Sequence, residues 1–195
     1  MVEAEVDTAP EPDAGADADE ALMAAYAAGD AGAFDALYDR WRGPVFRYFL
    51  RQLDRAEAEE AHQDTWLRLV RLRRRYVPDG PFRGLLFTIA HGVLVDRHRA
   101  RARLPPGDED PDGTPGDDDV VANLDRTRLA QRLYAAIRRL PSAQREALVL
   151  REETGLSAAE IAEVCGGTEE GVRSRLRYAM GRLRAELAGA SDGSD

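Results

Sequence analysis

The chain has 195 residues, 44% of them hydrophobic, with a formal net charge of -9 and a single cysteine, Cys165. This length suits one or two small globular domains and excludes a large multi-layer enzyme. The acidic first residues and the lack of a long apolar run exclude a secretory signal and a membrane span, so we expect a cytoplasmic protein without membrane insertion. One cysteine excludes an internal disulfide and a Cys-rich zinc site.

Acidic and basic residues are segregated along the chain. Residues 1–30 contain nine acids and no base, and residues 104–124 contain seven acids and no base. Residues 31–103 instead carry 15 bases against nine acids, and residues 125–188 carry 12 bases against nine acids. The folded segments are therefore basic, which suits a nucleic-acid partner in spite of the negative total.

The same composition predicts five segments. We expect a disordered acidic tail at 1–18, a helical domain at 19–103, a flexible acidic linker at 104–122, a second helical domain at 123–188 and a disordered tail at 189–195. Prolines and glycines break any periodicity in the linker, and its carboxylates cannot form a core. The fold class is therefore predicted to be all-α, with two small helical domains joined by a tether.

The first helices are predicted where apolar residues recur at three- and four-residue spacing, from Leu22 to Leu53. Gly43 and Pro44 interrupt that pattern, so we expect a bend or a break between two helices there. The next helix is predicted from about Arg55 to Tyr76, and its buried stripe is Trp66, Leu69, Val70 and Leu72.

A further helix is predicted from Phe82 to about Arg103, ending in the basic sequence DRHRARAR. Its predicted buried residues are Leu85, Leu86, Ile89, Ala90, Val93 and Leu94.

The second domain has the pattern of a helix-turn-helix. Leu129, Leu133, Ile137 and Leu140 form one helical face, and a helix opens at Pro141 and Ser142. Ser157 and Glu160 have the spacing of a capping box before the short helix AAEIAEVC, which ends at two glycines. Thr168 can cap the next helix, whose predicted inward residues are Val172, Leu176, Ala179 and Leu183. This last helix is the candidate recognition helix.

Particular strings carry a resemblance to a known family. LPSAQREALVLREETGLSAAEIAEVCGGTEEGVRSRLRYAMGRLR resembles the promoter-binding domain of bacterial RNA polymerase sigma factors. AFDALYDRWRGPVFRYFLRQL, AEEAHQDTWLRLVR and FRGLLFTIAHGVLVDRHRARAR resemble successive parts of the sigma core-binding and promoter-melting domain. With two domains and a short linker, the chain resembles the extracytoplasmic-function (ECF) group, over about Asp19 to Leu187.

The resemblance implies three binding surfaces and three partners: core RNA polymerase, promoter DNA and an anti-sigma factor. The surface for polymerase would comprise Glu59, Glu60, Gln63 and Asp64. The surface for the downstream (minus-10) element would comprise Arg97, Arg99, Arg101 and Arg103. The surface for the upstream (minus-35) element would comprise Arg173, Ser174, Arg175 and Arg177. Gly92 and Gly171 depart from the residues common in the family, Asn and Thr, which affects promoter sequence and not class.

Two other functions are open to this sequence. A two-domain repressor or activator that does not bind polymerase stably would carry the same helix-turn-helix. An enzyme would need a catalytic or metal motif, but His62, His91 and His98 have no familiar ligand spacing, and a basic DNA-facing helix explains the last two. We therefore predict no catalysis, no cofactor and no metal, and expect Asp96 to form a structural salt bridge with a nearby arginine.

Overall fold

A computed structural model describes residues 16–103 and 124–188. Within these ranges the chain forms α-helices and one short 3-10 turn, and no strand, which confirms the all-α prediction. None of the described helices has the length and apolarity to cross a membrane. The helices are α1 (Ala16–Ala28), α2 (Ala31–Leu50), α3 (Arg55–Leu72, followed by the 3-10 turn Arg73–Arg75), α4 (Phe82–Arg101), α5 (Leu124–Arg138), α6 (Ser142–Thr154), α7 (Ala158–Cys165) and α8 (Glu169–Ala188).

The break between the first two helices lies at Gly29 and Asp30, and no break occurs at Gly43 and Pro44, where a bend or a break was predicted. Gly29 has a φ of 121°, and the Asp30 carboxylate caps α2 by accepting from the backbone N–H groups of Gly32 and Ala33. Helix α2 runs through Pro44 without ending. A proline costs one backbone hydrogen bond, but the apolar face of α2 is buried on both sides of it, and that packing holds the helix together.

Helix α3 begins at its Asp54 cap and buries Ala58, Ala61, Thr65, Trp66 and Leu69. Val70, predicted to be buried, is 41% exposed. Successive residues of an α-helix are rotated by about 100° around its axis. Val70 is therefore turned away from Leu69, its neighbour in the chain, and lies outside the buried stripe that contains Ala61 and Leu69.

Helix α4 crosses the first three helices and supplies much of the core. Leu86, Ala90, Val93 and Leu94 are buried as predicted, whereas Leu85 and Ile89 are half-buried. Phe87, absent from the predicted set, is fully buried, with its ring centroid 6.0 Å from that of Trp41 and 5.6 Å from that of Tyr48.

The helix-turn-helix is formed by α7 and α8. The capping box of Ser157 and Glu160 is present, as predicted, and Gly166 ends α7 in the left-handed conformation with a φ of 68°. The Thr168 hydroxyl accepts from the backbone N–H of Gly171 at 3.1 Å. Helix α8 buries Val172, Ala179 and Leu183 and leaves Leu176 half-buried, close to the predicted inward face.

The two helical groups, α1 to α4 and α5 to α8, pack directly against each other. Helix α2 contacts α6, and α4 contacts α7. Ion pairs cross the interface from Arg47 to Glu153 and from Arg83 to Glu160, at 2.6 and 3.0 Å. We call this arrangement the closed form. The predicted linker lies outside the described residues, as do residues 1–15 and 189–195 of the predicted tails.

Candidate functional site

The solvent face of α8 carries Arg173 and Arg177, whose side chains are 50% and 70% exposed. Each pairs with a glutamate at the start of the helix, Arg173 with Glu169 at 2.7 Å and Arg177 with Glu170 at 3.9 Å. Ser174 is half-buried beside them. Because residues four apart share a helix face, these two arginines form a single basic ridge on the recognition helix.

Arg175, also predicted to contact the upstream element, has a different environment. It is half-buried, and its Nη1 would lie 3.9 Å from a Cβ placed on Gly167. Its positive charge also lowers the pKa of the Cys165 thiol, against the larger effect of burial. Arg175 therefore lies toward the turn of the motif and away from the basic ridge.

The four arginines at the end of α4 divide into two pairs. Arg97 donates hydrogen bonds to Glu60 at 3.1 Å and to Asp64 at 3.0 Å, and Arg101 donates one to Glu57 at 2.6 Å. Arg99 and Arg103 are exposed to solvent. Two of the predicted DNA contacts thus neutralise acids of α3 in this conformation.

The predicted polymerase surface overlaps this ion-pair network. Glu60 and Asp64 bind Arg97, while Glu59 pairs with Arg55 at 3.1 Å and Gln63 is exposed. We call Glu57, Glu60, Asp64, Arg97 and Arg101 the α3–α4 ionic cluster. The predicted salt bridge of Asp96 is confirmed, with Arg68 as its partner at 2.9 Å.

An exposed apolar patch on α3 was missed in the sequence. Leu67 is 51% exposed and Val70 is 41% exposed, and they lie four and seven residues after Gln63, on the same helical face. We call Gln63, Leu67 and Val70 the α3 patch. Because the two exposed apolar side chains adjoin each other and border a polar residue, they form a candidate protein-binding surface. The signal available in the sequence was Leu67, an apolar residue of this helix that lies outside its predicted buried stripe.

A polar cluster centred on Glu146 lies between the two helical groups. Tyr48 donates from its hydroxyl to Glu146 Oε1, and His91 donates from Nδ1 to the same oxygen, each at 2.6 Å. Burial is the largest single influence and opposes ionisation of Glu146, but these two hydrogen bonds, together with the charges of His91 and His98, outweigh it and lower the pKa of the carboxyl group. The same hydrogen bond raises the pKa of His91. At this junction a negative carboxylate of the second domain is therefore held by two donors of the first.

Cys165, at the end of α7, borders the same cluster. Burial, together with the neighbouring Glu146 carboxylate, raises the pKa of its thiol to about 12. The free thiol therefore stays protonated near neutral pH.

Two family models match the chain in order. Sigma-70 region 2 matches residues 37–104, and Sigma-70 region 4 matches residues 130–183. The ECF RNA polymerase sigma factor SigL of Mycobacterium tuberculosis is 37% identical over 175 residues, covering 86% of this chain and 96% of SigL. The chain belongs to the ECF sigma factors. Its family members act in transcription initiation and are not themselves catalysts.

Further relatives and solved structures agree with the assignment of this chain to the ECF sigma factors. BldN of Streptomyces coelicolor, also an ECF sigma factor, is 32% identical over 169 residues, which cover 82% of this chain and 62% of BldN. The structure of CnrH in complex with the cytosolic domain of CnrY has a TM-score of 0.63 at 26% identity, and the match covers 91% of this chain and 99% of that one. RpoE of Bartonella quintana, solved with the anti-sigma factor NepR, has the same fold, with a TM-score of 0.67 at 21% identity over 80% of this chain and 96% of that one.

Two substitutions test whether the ion-paired and the exposed arginines of α4 differ in their contribution to the stability of this sigma factor. Arg97→Ala breaks two ion pairs made by a side chain that is 19% exposed, so we expect the free energy of unfolding to fall by about 1 kcal/mol. Arg99→Ala, at an exposed position one residue beyond His98, is expected to leave the free energy of unfolding unchanged. Urea denaturation followed by circular dichroism measures both, and equal stability of the two variants would contradict the ionic cluster.

Proposed function

We propose that this sigma factor holds core RNA polymerase through α3, reads the upstream promoter element with α8 and engages the downstream element with the basic end of α4. The observation that carries the proposal is the order of the two matched sigma regions on helices that expose a basic ridge and an apolar patch. RNA synthesis itself is assigned to the polymerase, and no catalytic step to this chain.

The upstream contact is assigned first to Arg173, Ser174 and Arg177. An arginine on a recognition helix can contact guanine with two hydrogen bonds or bind a phosphate. Both arginines must give up a glutamate partner to do so, and those exposed pairs cost little to break. Arg175 is assigned a phosphate contact at the edge of the motif, since it lies away from the ridge.

The downstream contact is assigned to Arg99 and Arg103 directly, and to Arg97 and Arg101 through exchange of partners. The latter two leave acids of α3 when they bind phosphate. Those acids, including Glu60 and Asp64, then become available to basic groups of the polymerase, together with Glu59 and the α3 patch. Polymerase binding and promoter melting are thereby coupled through the α3–α4 ionic cluster.

The closed form cannot reach both promoter elements at once. Helix α7 contacts both α4 and α8, and two packed helices lie 8–10 Å apart, so α4 and α8 are within about 20 Å of each other. Elements separated by about 25 base pairs lie about 85 Å apart along B-form DNA. We propose that the two domains separate when the chain joins polymerase on a promoter, with residues 104–122 as the tether between domains 19–103 and 123–188.

An anti-sigma factor is proposed as a further partner. The solved relative CnrH is bound by the cytosolic domain of CnrY. A protein that covered the α3 patch or the basic ridge would block polymerase or promoter by competition. We place the chain in the cytoplasm, where RNA polymerase and promoters are found.

Run-off transcription tests the proposal. Core polymerase is assayed on genomic promoter fragments with and without the purified full-length chain, and with a mixture of its isolated residues 1–103 and 123–195 as a control for linkage. We expect discrete transcripts only with the intact chain. A repressor or activator would change transcription by a holoenzyme that already contains another sigma factor and would give no transcripts with core enzyme alone.

A further inference from the structure

Three side chains of different chemistry converge at the junction of the two domains. His91 comes from α4, Glu146 from α6 and Cys165 from the end of α7. The imidazole nitrogen, carboxylate oxygen and thiol sulfur all lie within 4.8 Å of one another, and all three residues are half-buried. No sequence spacing reveals this group, because its members are 55 and 19 residues apart along the chain.

These atoms fit the ligand set of a divalent zinc ion. Zinc is bound at about 2.0 Å by nitrogen or oxygen and about 2.3 Å by sulfur, usually in a tetrahedron, which places neighbouring ligand atoms of this set about 3.3 to 3.5 Å apart. His91 Nδ1 and Glu146 Oε1 are 2.6 Å apart, and the Cys165 sulfur lies within 4.8 Å of a ligand atom of each, so small shifts would reach those values. A rotation of the Glu146 carboxylate that moves its oxygen by about 1 Å would open the space for the ion.

The surroundings also suit a bound cation. A carboxylate and a thiolate together offset the two charges of the ion, and imidazole and thiolate favour zinc over magnesium or calcium. The Tyr48 hydroxyl donates a hydrogen bond to Glu146 Oε1 and orients the carboxylate. Residues that hydrogen-bond to metal ligands commonly orient them in this way. Three basic side chains interact electrostatically with this cluster. Arg175 interacts with Cys165, and His98 and Arg145 interact with Glu146.

We propose that His91, Glu146 and Cys165 bind one zinc ion, with a water molecule as fourth ligand, and that this ion joins the two domains. Binding releases the thiol proton of Cys165 to solvent, and His91 binds as the neutral imidazole with its hydrogen on Nε2, so that the sulfur and Nδ1 both bind the ion through lone pairs. One ligand belongs to the first domain and two to the second, so the complete site exists only in the closed form.

A consequence for regulation rests on the proposed function. An ion that binds only the closed form raises the ratio of closed to open chains by about 100-fold at a zinc concentration 100 times its Kd. Because promoter binding requires separated domains, zinc would reduce assembly of the active holoenzyme on promoters. The chain would then respond to zinc without any partner protein.

Metal binding by the full-length apo chain is the direct test. Zinc is titrated in competition with a chromophoric chelator under reducing conditions, and cobalt is used as a probe for its visible absorption and thiolate charge-transfer band. We expect one ion per chain, and a loss of affinity of at least about 100-fold in Cys165→Ser and in His91→Gln. The matched control is His98→Gln, on the same helix seven residues away, which should retain the affinity.

The results of these measurements test the zinc site, its regulatory effect and the proposed function separately. Unchanged zinc affinity in both Cys165→Ser and His91→Gln would overturn the site, as would the same loss in His98→Gln as in His91→Gln. Since Cys165→Ser is nearly isosteric, its thermal melting without metal serves as the check on folding. Run-off transcription at saturating zinc is then expected to fall for the wild-type chain and not for Cys165→Ser. Zinc binding without that difference would overturn the regulatory part, whereas a chain that binds zinc but never supports transcription would contradict the proposed function alone.

Discussion

Replacing Leu67 by glutamate is expected to weaken capture of core RNA polymerase by at least about 30-fold, equivalent to about 2 kcal/mol. The side chain is 51% exposed, so it contributes little to the core of the free protein. In a complex it would be the apolar centre of the α3 patch, surrounded by Gln63 and the nearby acids. A carboxylate there would have to be buried against the polymerase without a partner, which costs more than the loss of apolar contact alone.

Val77→Glu provides the matched control for this substitution. Val77 is also an exposed apolar residue, at 73%, but it lies beyond the end of α3. Co-purification of each variant with core enzyme, without promoter DNA, measures the effect, and thermal melting confirms that both variants are folded. Equal capture of the two variants would remove the α3 patch from the polymerase interface.

Replacing Arg173 by alanine is expected to weaken binding to the upstream promoter element by roughly 1 to 3 kcal/mol, or about 5- to 150-fold. The reason is that Arg173 lies on the exposed ridge of α8, where it pairs with the exposed Glu169 in the preceding turn. The loss should be larger on promoter DNA than on random DNA, because a base contact carries sequence information and a phosphate contact does not.

Arg182→Ala is the control on the same helix. Arg182 is nine residues further along α8, which places it on the opposite face, beside Ala136 and Leu140 of the second domain. Electrophoretic mobility shift of holoenzyme at fixed salt concentration compares the variants. Equal losses on promoter and random DNA would make Arg173 a phosphate contact, and no loss on either would take α8 out of the major groove.

Much of the fold could be predicted because its signals are local. The capping box at Ser157 and Glu160 and the glycine turn at Gly166 require only neighbouring residues, and both are present. The same local reasoning predicts a bend or a break at Gly43 and Pro44, but α2 does not break there, because residues on both sides of the proline are packed in the core. It also overlooked Gly29 and Asp30, a positive-φ glycine followed by a helix cap, although that pair is an equally local signal.

The binding surfaces were harder to predict from the sequence than the helices. Charge pattern identified the α4 arginines, but it could not show that Arg97 and Arg101 face acids of α3 more than 30 residues earlier. Hydrophobic periodicity treated Val70 as core, because an exposed apolar residue at the edge of a stripe looks the same in sequence as a buried one. The closed form depends on contacts such as Tyr48 to Glu146, 98 residues apart, for which one sequence contains no signal.

The contacts between the domains have a thermodynamic consequence for promoter affinity. When only a fraction of a protein is in the binding-competent state, its apparent Kd is the intrinsic Kd divided by that fraction. Under the proposed separation of the domains on a promoter, each ion pair across the junction, such as Arg47 with Glu153, lowers the competent fraction and so weakens promoter binding without touching DNA. On this proposal, the strength with which this sigma factor occupies a promoter is encoded partly in residues at the junction of the two domains, and evolution can adjust it there while promoter sequence preference stays the same.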